Sequence, residues 1–405
     1  MPLVWSLLKA VSPSVSSMNA IDPTQNTTTV QPQPVPAANF SELKPGDPFP
    51  WVKQRTESMP SFALDSVGGR YLVFCFYGST AVPAGKAAIE AAVKNQALFD
   101  DDRLMFFGVC VDPADEANAR VPVTLPAMRF LWDFDRTVCR ACGAIPTDVS
   151  PNGGPTLFRQ FWLIVDPTLH VLARIPFENE PVDHATVFAI LRGLPPPANF
   201  AGFEIPAPVL VLPNVFEPDL CRRLIALYDA DGGAESGVHR NGKGVLDHSF
   251  KRRRDYTVED QTLKLEIQQK LVRRVTPEIA KLFFMKITRM ERYIVGCYAA
   301  EDRAHFRPHR DNSQVLTAHR RFAVSINLNA DFEGGEVSFP EYNPRGIKAP
   351  PGWAVVFPAA ILHMVSMVTK GRRYAFLPFV YDEAGAAIRQ RNYAQHVSSQ
   401  SGAES

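Results

Sequence analysis

The run YLVFCFYG, residues 71–78, is the most restrictive feature of this sequence. It is apolar without alternation, so a strand built from it has no face that tolerates water, and other elements must cover both sides. Two further runs of the same kind, RLMFFGVCVD (103–112) and FRQFWLIVDP (158–167), follow it. Between the first two, AGKAAIEAAVKNQALF (84–99) brings Ala88, Ile89, Ala92, Val93 and Leu98 near one side of a helix. Strands thus alternate with helices from 43 to 195, which predicts an α/β domain with an at least partly parallel sheet.

LRGLPPPANFAGFEIPAPVLVLP (191–213) ends that pattern. Proline fixes φ and removes a backbone donor, so this stretch marks a domain boundary, with 196–208 as the linker. Beyond it, FEPDLCRRLIALYD (216–229) repeats apolar residues at helical spacing, with Pro218 in the first turn. A second helix is predicted over about 259–284, with Leu263, Ile267, Leu271 and Val275 on one face and a kink near Pro277. The short runs ERYIVGCY, RRFAVSINLN, GEVSFPEY, GWAVVFPAA and RRYAFLPFVYD follow, separated by Gly, Pro and Asn. They predict an all-β sandwich or barrel with packing helices over 209–385. Residues 1–42 are rich in Pro, Gln, Thr and Asn and are expected to be disordered. The first twenty carry a short apolar core followed by one lysine, a poor secretory signal, and Met18 offers an alternative start. Residues 386–405 turn polar and are expected to fray.

A chain of 405 residues asks for two or three domains. Its formal net charge of +1 speaks against nucleic acid or an anionic membrane as the main partner. No apolar run approaches the ~18–20 residues of a membrane helix. Six cysteines, at 75, 110, 139, 142, 221 and 297, are scattered through a chain large enough to build its own core. That usage points to free thiols and a cytoplasmic location rather than to a disulfide scaffold.

The segment HFRPHRDNS (305–313) packs two histidines and an aspartate closely together. His309 and Asp311 are two apart, so an extended backbone turns both to one side. Alone the pair says little. His363 follows a later strand, about fifty residues on, and in a strand sandwich two non-adjacent strands converge over such a gap. Two histidines and one carboxylate make a facial triad that leaves three positions open, enough for a ferrous ion to take a bidentate co-substrate and O2. Arg373 lies one strand further along, where a guanidinium can fork a carboxylate, and its neighbour Arg372 should face the other way.

Taken in order and spacing, ERYIVGCY, HFRPHRDN, RRFAVSINLN, FEGGEVSFPEY and PPGWAVVFPAAILHMVSMVTKGRRYAFLPF resemble the 2-oxoglutarate/Fe(II)-dependent dioxygenase superfamily. Within it the resemblance is greatest to the prolyl 4-hydroxylase-like branch. It implies a double-stranded β-helix (jelly roll) with packing helices, and a hydroxylase that consumes O2 and 2-oxoglutarate and releases succinate and CO2. The implied substrate is peptidyl, prolyl residues included, or a small molecule, and L-ascorbate is admitted as a further cofactor. By the same resemblance His309, Asp311 and His363 carry Fe(2+), and Arg373 binds the C5 carboxylate of 2-oxoglutarate, where collagen-type relatives commonly use lysine. Tyr293 matches the family tyrosine that contacts 2-oxoglutarate. Tyr298 stays open as its rival, because the segment from Tyr293 to His309 is longer than usual.

In the first half, LKPGDPFPWV, FLWDFDRTVCRACGAI and FWLIVDP resemble the peroxiredoxin branch of thioredoxin-like folds. This implies a thioredoxin-like α/β domain over 43–195 and allows a homodimer through it. The peroxidatic cysteine of that family should follow the first central strand, but YGSTAVPAGKAAIE holds none. A thiolate is the nucleophile of that chemistry, so peroxide reduction is not expected. Cys139-x-x-Cys142 keeps one alternative open, a thiol peroxidase; a non-catalytic binding scaffold is another. KRRRD (251–255) reads first as a solvated face, with the steering of an acidic substrate or partner as its alternative; His305 and His319 read as rim or surface histidines, and Ser325 and Asn327 as structural hydrogen-bonding residues on one strand face, with contact to cofactor or substrate as their alternative.

Overall fold

The computed structural model describes residues 39–148, 156–240 and 243–401. Residues 1–38 of the expected disordered segment therefore lie outside the described ones. The chain divides into two compact units, 1–65 with 70–203 and 66–69 with 204–405.

In the first unit, β1 (Tyr71–Gly78) is central, flanked by β2 (Leu104–Cys110), β3 (Met128–Trp132), β4 (Phe161–Val165) and β5 (Val171–Pro176) in the order β3-β2-β1-β4-β5. The first three run parallel, and β4 and β5 are antiparallel to their neighbours. Its helices include α1 (Pro83–Lys94), α2 (Thr137–Ala141) and α3 (Val182–Gly193). α1 stops earlier than expected, because the Asn95 side chain donates to the Ala91 carbonyl and a 3-10 turn takes over. Both faces of β1 are covered. Tyr71, Val73, Cys75 and Tyr77 share a core with Ala88 and Ile89 of α1 and Val187 and Leu191 of α3. On the other face Phe74 stacks between Phe49 and Phe107, with centroids 4.7 and 5.2 Å away, and Phe76 stacks on Phe161. Each side chain buried this way contributes about 1.5–3 kcal/mol, which is why no position in the run is polar.

In the second unit α4 (Pro218–Asp231) is followed by a segment that joins two sheets: β6 (Lys251–Arg252) and β7 (Arg254–Thr257). The expected kinked helix is two helices, α5 (Gln261–Arg274) and α6 (Thr276–Phe283), with Val275 between them. Pro277 has no N–H to give the preceding turn and clashes with its carbonyl, so the helix restarts with proline in its first turn. Its strands include β8 (Ile294–Ala299), β9 (His305–His309), β10 (Phe322–Asn327), β11 (Val337–Phe339), β12 (Asn343–Ile347), β13 (Ala354–Pro358), β14 (His363–Val365), β15 (Lys370–Phe376) and β16 (Phe379–Tyr381). The smaller antiparallel sheet runs β6-β9-β14-β11-β12. The larger contains β16-β10-β15-β8-β7, with β13 also paired to β10.

The larger sheet divides two cores. Val295, Cys297, Ile326, Val356 and Phe376 face Leu220, Leu224, Leu263, Ile267 and Leu271 of the helices. Tyr298, Ala323, Val355 and Phe357 face Val337, Phe339 and Val365 of the smaller sheet. Over 386–401 the expected frayed tail is instead helical, within α7 (Glu383–Ser401), and 402–405 lie outside the described residues. Asp382 caps its first turn by accepting from Gly385 N at 2.7 Å, and Asn392 is buried, donating to the Val315 carbonyl at 2.7 Å. Polarity alone misread this helix because polar side chains dock it, Asn392 on Val315 and Arg389 on Glu291. All six cysteines are free and buried, and among the described residues no helix is long and apolar enough to cross a membrane.

Candidate metal centre

β9 ends on His309, β14 begins on His363, and the two are register partners. Asp311 lies two residues past β9, its N–H held by the Ala359 carbonyl at 2.9 Å. The carboxylate stands 3.6 Å from His309 Nε2 and 3.2 Å from His363 Nε2, and one ligand atom from each of the three residues lies within 4.8 Å of the others. Each imidazole donates Nδ1–H to a backbone carbonyl, His309 to Arg307 at 2.8 Å and His363 to Ile361 at 3.0 Å. A carbonyl only accepts, so Nδ1 carries the proton in each neutral ring, and Nε2, beside the carboxylate, is the nitrogen that can offer a lone pair to a metal. Burial, and then the neighbouring His363, push the His309 imidazole down to about 4. For Asp311, burial acts upward, but His363 and His309 overcome it and hold the carboxyl well below its usual range. Phe306 stacks on His309 at 3.5 Å and Phe357 packs against His363 at 4.6 Å, keeping water from one side of the group.

Arg310 ties the two ligand-bearing segments together. Its guanidinium pairs with buried Glu341 and donates to the Ala360 carbonyl at 2.5 Å, while Glu341 also accepts from Leu362 N at 3.1 Å.

The three ligands line a cavity of about 1020 Å³ that also receives Arg373. Arg373 is 1% exposed; its Nε donates to Asn327 Oδ1 at 2.9 Å and its Nη2 to Ser325 Oγ at 2.8 Å. Ser325 and Asn327 therefore do hold structural hydrogen bonds, and the group they fix is this arginine. Nη1 has no partner. Burial lowers the guanidinium pKa to about 10, which still leaves it charged at neutral pH. Arg372, on the other face of β15, pairs with Glu301 at the surface.

Three expectations need correction. Tyr293 packs with the helical core and is not among the cavity's lining residues, whereas Tyr298 is buried there, its ring 5.3 Å from the Arg373 guanidinium. Tyr293 immediately precedes β8 and Tyr298 lies on it, an odd number of residues on, so extended backbone turns them to opposite faces. KRRRD is not a solvated face: Lys251 and Arg253 are buried and line the cavity, while Arg254 is exposed. The signal was the alternation along a strand that crosses between sheets. His319 is buried rather than superficial, paired with Glu291 at 3.0 Å, and takes no part in the triad; nor does His305.

Residues 293–381 match the 2OG-Fe(II) oxygenase superfamily, and a domain of that kind lies in the C-terminal region. A PKHD-type hydroxylase of Psychrobacter sp. (strain PRwf-1) is 38% identical over 73 residues, 18% of this chain and 28% of the relative. A second, from Shewanella frigidimarina (strain NCIMB 400), is 33% identical over 85 residues, 20% of this chain and 38% of the relative. The chain thus spans well under half the length of these curated relatives. Among solved structures, a Trichoplax adhaerens prolyl hydroxylase in complex with a hypoxia inducible factor oxygen degradation domain peptide fragment is 18% identical. The match covers 44% of this chain and 86% of that one, with a TM-score of 0.37. A Xylella fastidiosa PrxQ mutant is 16% identical, covering 38% of this chain and 97% of that one, with a TM-score of 0.32.

Proposed function

We propose that the second unit is a double-stranded β-helix that works as an Fe(II)- and 2-oxoglutarate-dependent hydroxylase, acting on a peptidyl or small-molecule substrate. The observation that carries this reading is the meeting, in one cavity, of a two-histidine, one-carboxylate group and a buried arginine with a donor left over. The donor set fits a ferrous ion: two imidazoles that can offer Nε2 lone pairs, one carboxylate, and room for further ligands. Arg373 Nη1 fits a carboxylate, because a buried, unpaired cationic donor is costly until an anion meets it.

When bound, Fe(II) with 2-oxoglutarate and O2 supplies the oxidising power, one oxygen atom entering the substrate C–H bond while the co-substrate leaves as succinate and CO2. The protein's residues do the rest. His309, Asp311 and His363 would hold the metal, and the carbonyls of Arg307 and Ile361 set the two imidazole orientations. Arg373 would neutralise the far carboxylate of the co-substrate, and Ser325 and Asn327 keep its fork from rotating. Phe306 and Phe357 limit water at the ligands. L-Ascorbate as an accessory cofactor belongs to the same proposal.

The first unit, read as a thioredoxin-like domain, would serve orientation or recognition, a second subunit included, rather than peroxide chemistry. Every thiol it holds is buried. Burial, and then Asp133, push both Cys139 and Cys142 up, away from the thiolate a peroxidase needs. Anaerobic titration with Fe(II) and 2-oxoglutarate, followed by ultraviolet-visible spectroscopy, tests the proposal. A weak metal-to-ligand charge-transfer band at about one iron per chain is expected; its absence would leave the scaffold reading standing.

A further inference from the structure

We infer that the cavity wall built by Arg253, Arg292 and Lys251 takes a carboxylate of the primary substrate, so that the substrate is an acid, either a free aliphatic acid or an acidic side chain of a peptide. This rests on the dioxygenase reading of the same cavity.

The lining is one-sided in charge. Among the described residues it carries Lys251, Arg253, Arg292, Arg310, Arg320 and Arg373, and a single carboxylate, Asp311, which belongs to the triad. Three of these cations have their own assignments. Arg310 pairs with Glu341, Arg320 donates to Glu291 at 2.7 Å, and Arg373 faces the co-substrate. The remaining three gather around Asp255. Arg253 forks that carboxylate at 2.6 and 2.7 Å, and Ser236 Oγ donates to it at 2.5 Å. Lys251 Nζ reaches Ser236 Oγ at 2.6 Å and the Gly237 carbonyl at 3.1 Å.

Arg292 comes last. Among the described residues its ion-pair partner is the same Asp255, 3.6 Å away, beyond hydrogen-bond reach and already engaged. Two guanidiniums, which stay charged at neutral pH, thus share one carboxylate of their own; the other anion acting on Arg292 is the triad's Asp311, so outside the triad the pair carries an excess of one positive charge. A monoanion balances that excess. A wall of one sign set in a cleft also concentrates anionic ligands over neutral ones.

The backbone points the same way. Arg292 has φ +66°, the left-handed region that side-chain-bearing residues rarely adopt. On one side Glu291 is bound by His319 and Arg320, and on the other Tyr293 is packed in the helical core, so the conformation is held from both ends. The guanidinium lies 5.5 Å from the centre of the Phe379 ring, and Leu377 and Phe306 add apolar surface nearby in the lining. A cationic fork beside apolar surface fits an aliphatic chain that ends in a carboxylate.

The test is calorimetric titration of the full chain loaded with Mn(II) and 2-oxoglutarate, which fills the site without turnover. The probes are two matched pairs: butyrate against butyramide, and acetyl-Ala-Glu-Ala-amide against acetyl-Ala-Gln-Ala-amide. In at least one pair the acid is expected to bind about tenfold or more tighter than its amide, as a charge-assisted fork requires. The pair that discriminates tells a free acid from a peptide. Arg292→Gln should erase the preference and Arg292→Lys should keep part of it, with far-ultraviolet dichroism confirming that both variants fold. Equal binding of acid and amide, no binding by any probe, or a preference that survives in Arg292→Gln overturns the inference. Binding of 2-oxoglutarate to the Mn(II)-loaded wild type is measured first; its failure would count against the dioxygenase reading instead.

Discussion

Both units bury polar and reactive side chains, and they do so to opposite effect. In the first, Asp133 is fully buried and saturated: Gln54 donates to it at 2.6 Å, Val138 N at 2.9 Å and Cys139 N at 2.7 Å. It pins α2, and its charge pushes the adjacent thiol further from ionisation. Tyr71 there also has a hydroxyl without a partner among the described residues, but that group is neutral and sits in an apolar core. In the second unit the buried groups are charged and face a cavity, and Arg373 is left one donor short. Burial by itself therefore says little about chemistry. A buried charge that is incompletely satisfied and faces open space says much more, because only a ligand can complete it.

The strongest way to break this contrast is to remove a ligand from the cavity. His309→Ala, Asp311→Ala or His363→Ala should each lower Fe(II) affinity by more than about 100-fold with the fold intact, since even losses around the ligands cost 10–100-fold. Equilibrium dialysis with metal analysis checks this, and normal iron retention in any two variants would sink the triad.

Next in size is the co-substrate end. Arg373→Ala should weaken 2-oxoglutarate by roughly 1.5–3 kcal/mol while sparing iron, because the carboxylate loses a charge-assisted fork. Arg373→Lys should be intermediate, keeping charge without the planar geometry. Unchanged 2-oxoglutarate affinity in Arg373→Ala would move that role to another cation of the wall.

The pH dependence sharpens the comparison through His309. In the metal-free fold its pKa is about 4, against 6.5 as the ordinary value. Between those values the unfolded chain holds the extra proton, so stability falls as pH drops through the window and is retained above it. Urea melts of metal-free protein at pH 7 and pH 4.5 should differ through this group by about 2 kcal/mol, and His309→Gln should remove that part of the slope. An unaltered slope would show that the imidazole is not held neutral.

The smallest effect is expected in the first unit. With added thiols the full chain should reduce hydrogen peroxide no faster than free cysteine does, and Cys139→Ser/Cys142→Ser should leave that rate where it was. Both thiols are fully buried, and burial is the main force raising their pKa. A rate well above that of free cysteine, lost in the double variant, would make the protein bifunctional.

What the sequence determined by itself was whatever residue type and short-range spacing dictate. An unalternating apolar run has to be a strand covered on both sides, and β1 is one. His309, Asp311, His363 and Arg373 could be named as a set because few residue types suit such roles, and the alternation of Arg372 and Arg373 followed from strand geometry. The tertiary structure alone decided which face of each strand became the cavity. That choice put Tyr298 inside and Tyr293 outside, turned Lys251 and Arg253 inward where the chain passes between sheets, and docked the polar helix α7 through Asn392. The physical reason is that a buried charge is admitted only by its partners. Those partners are far away in the chain, Glu341 for Arg310 and Ser325 with Asn327 for Arg373, so local pattern carries no trace of them.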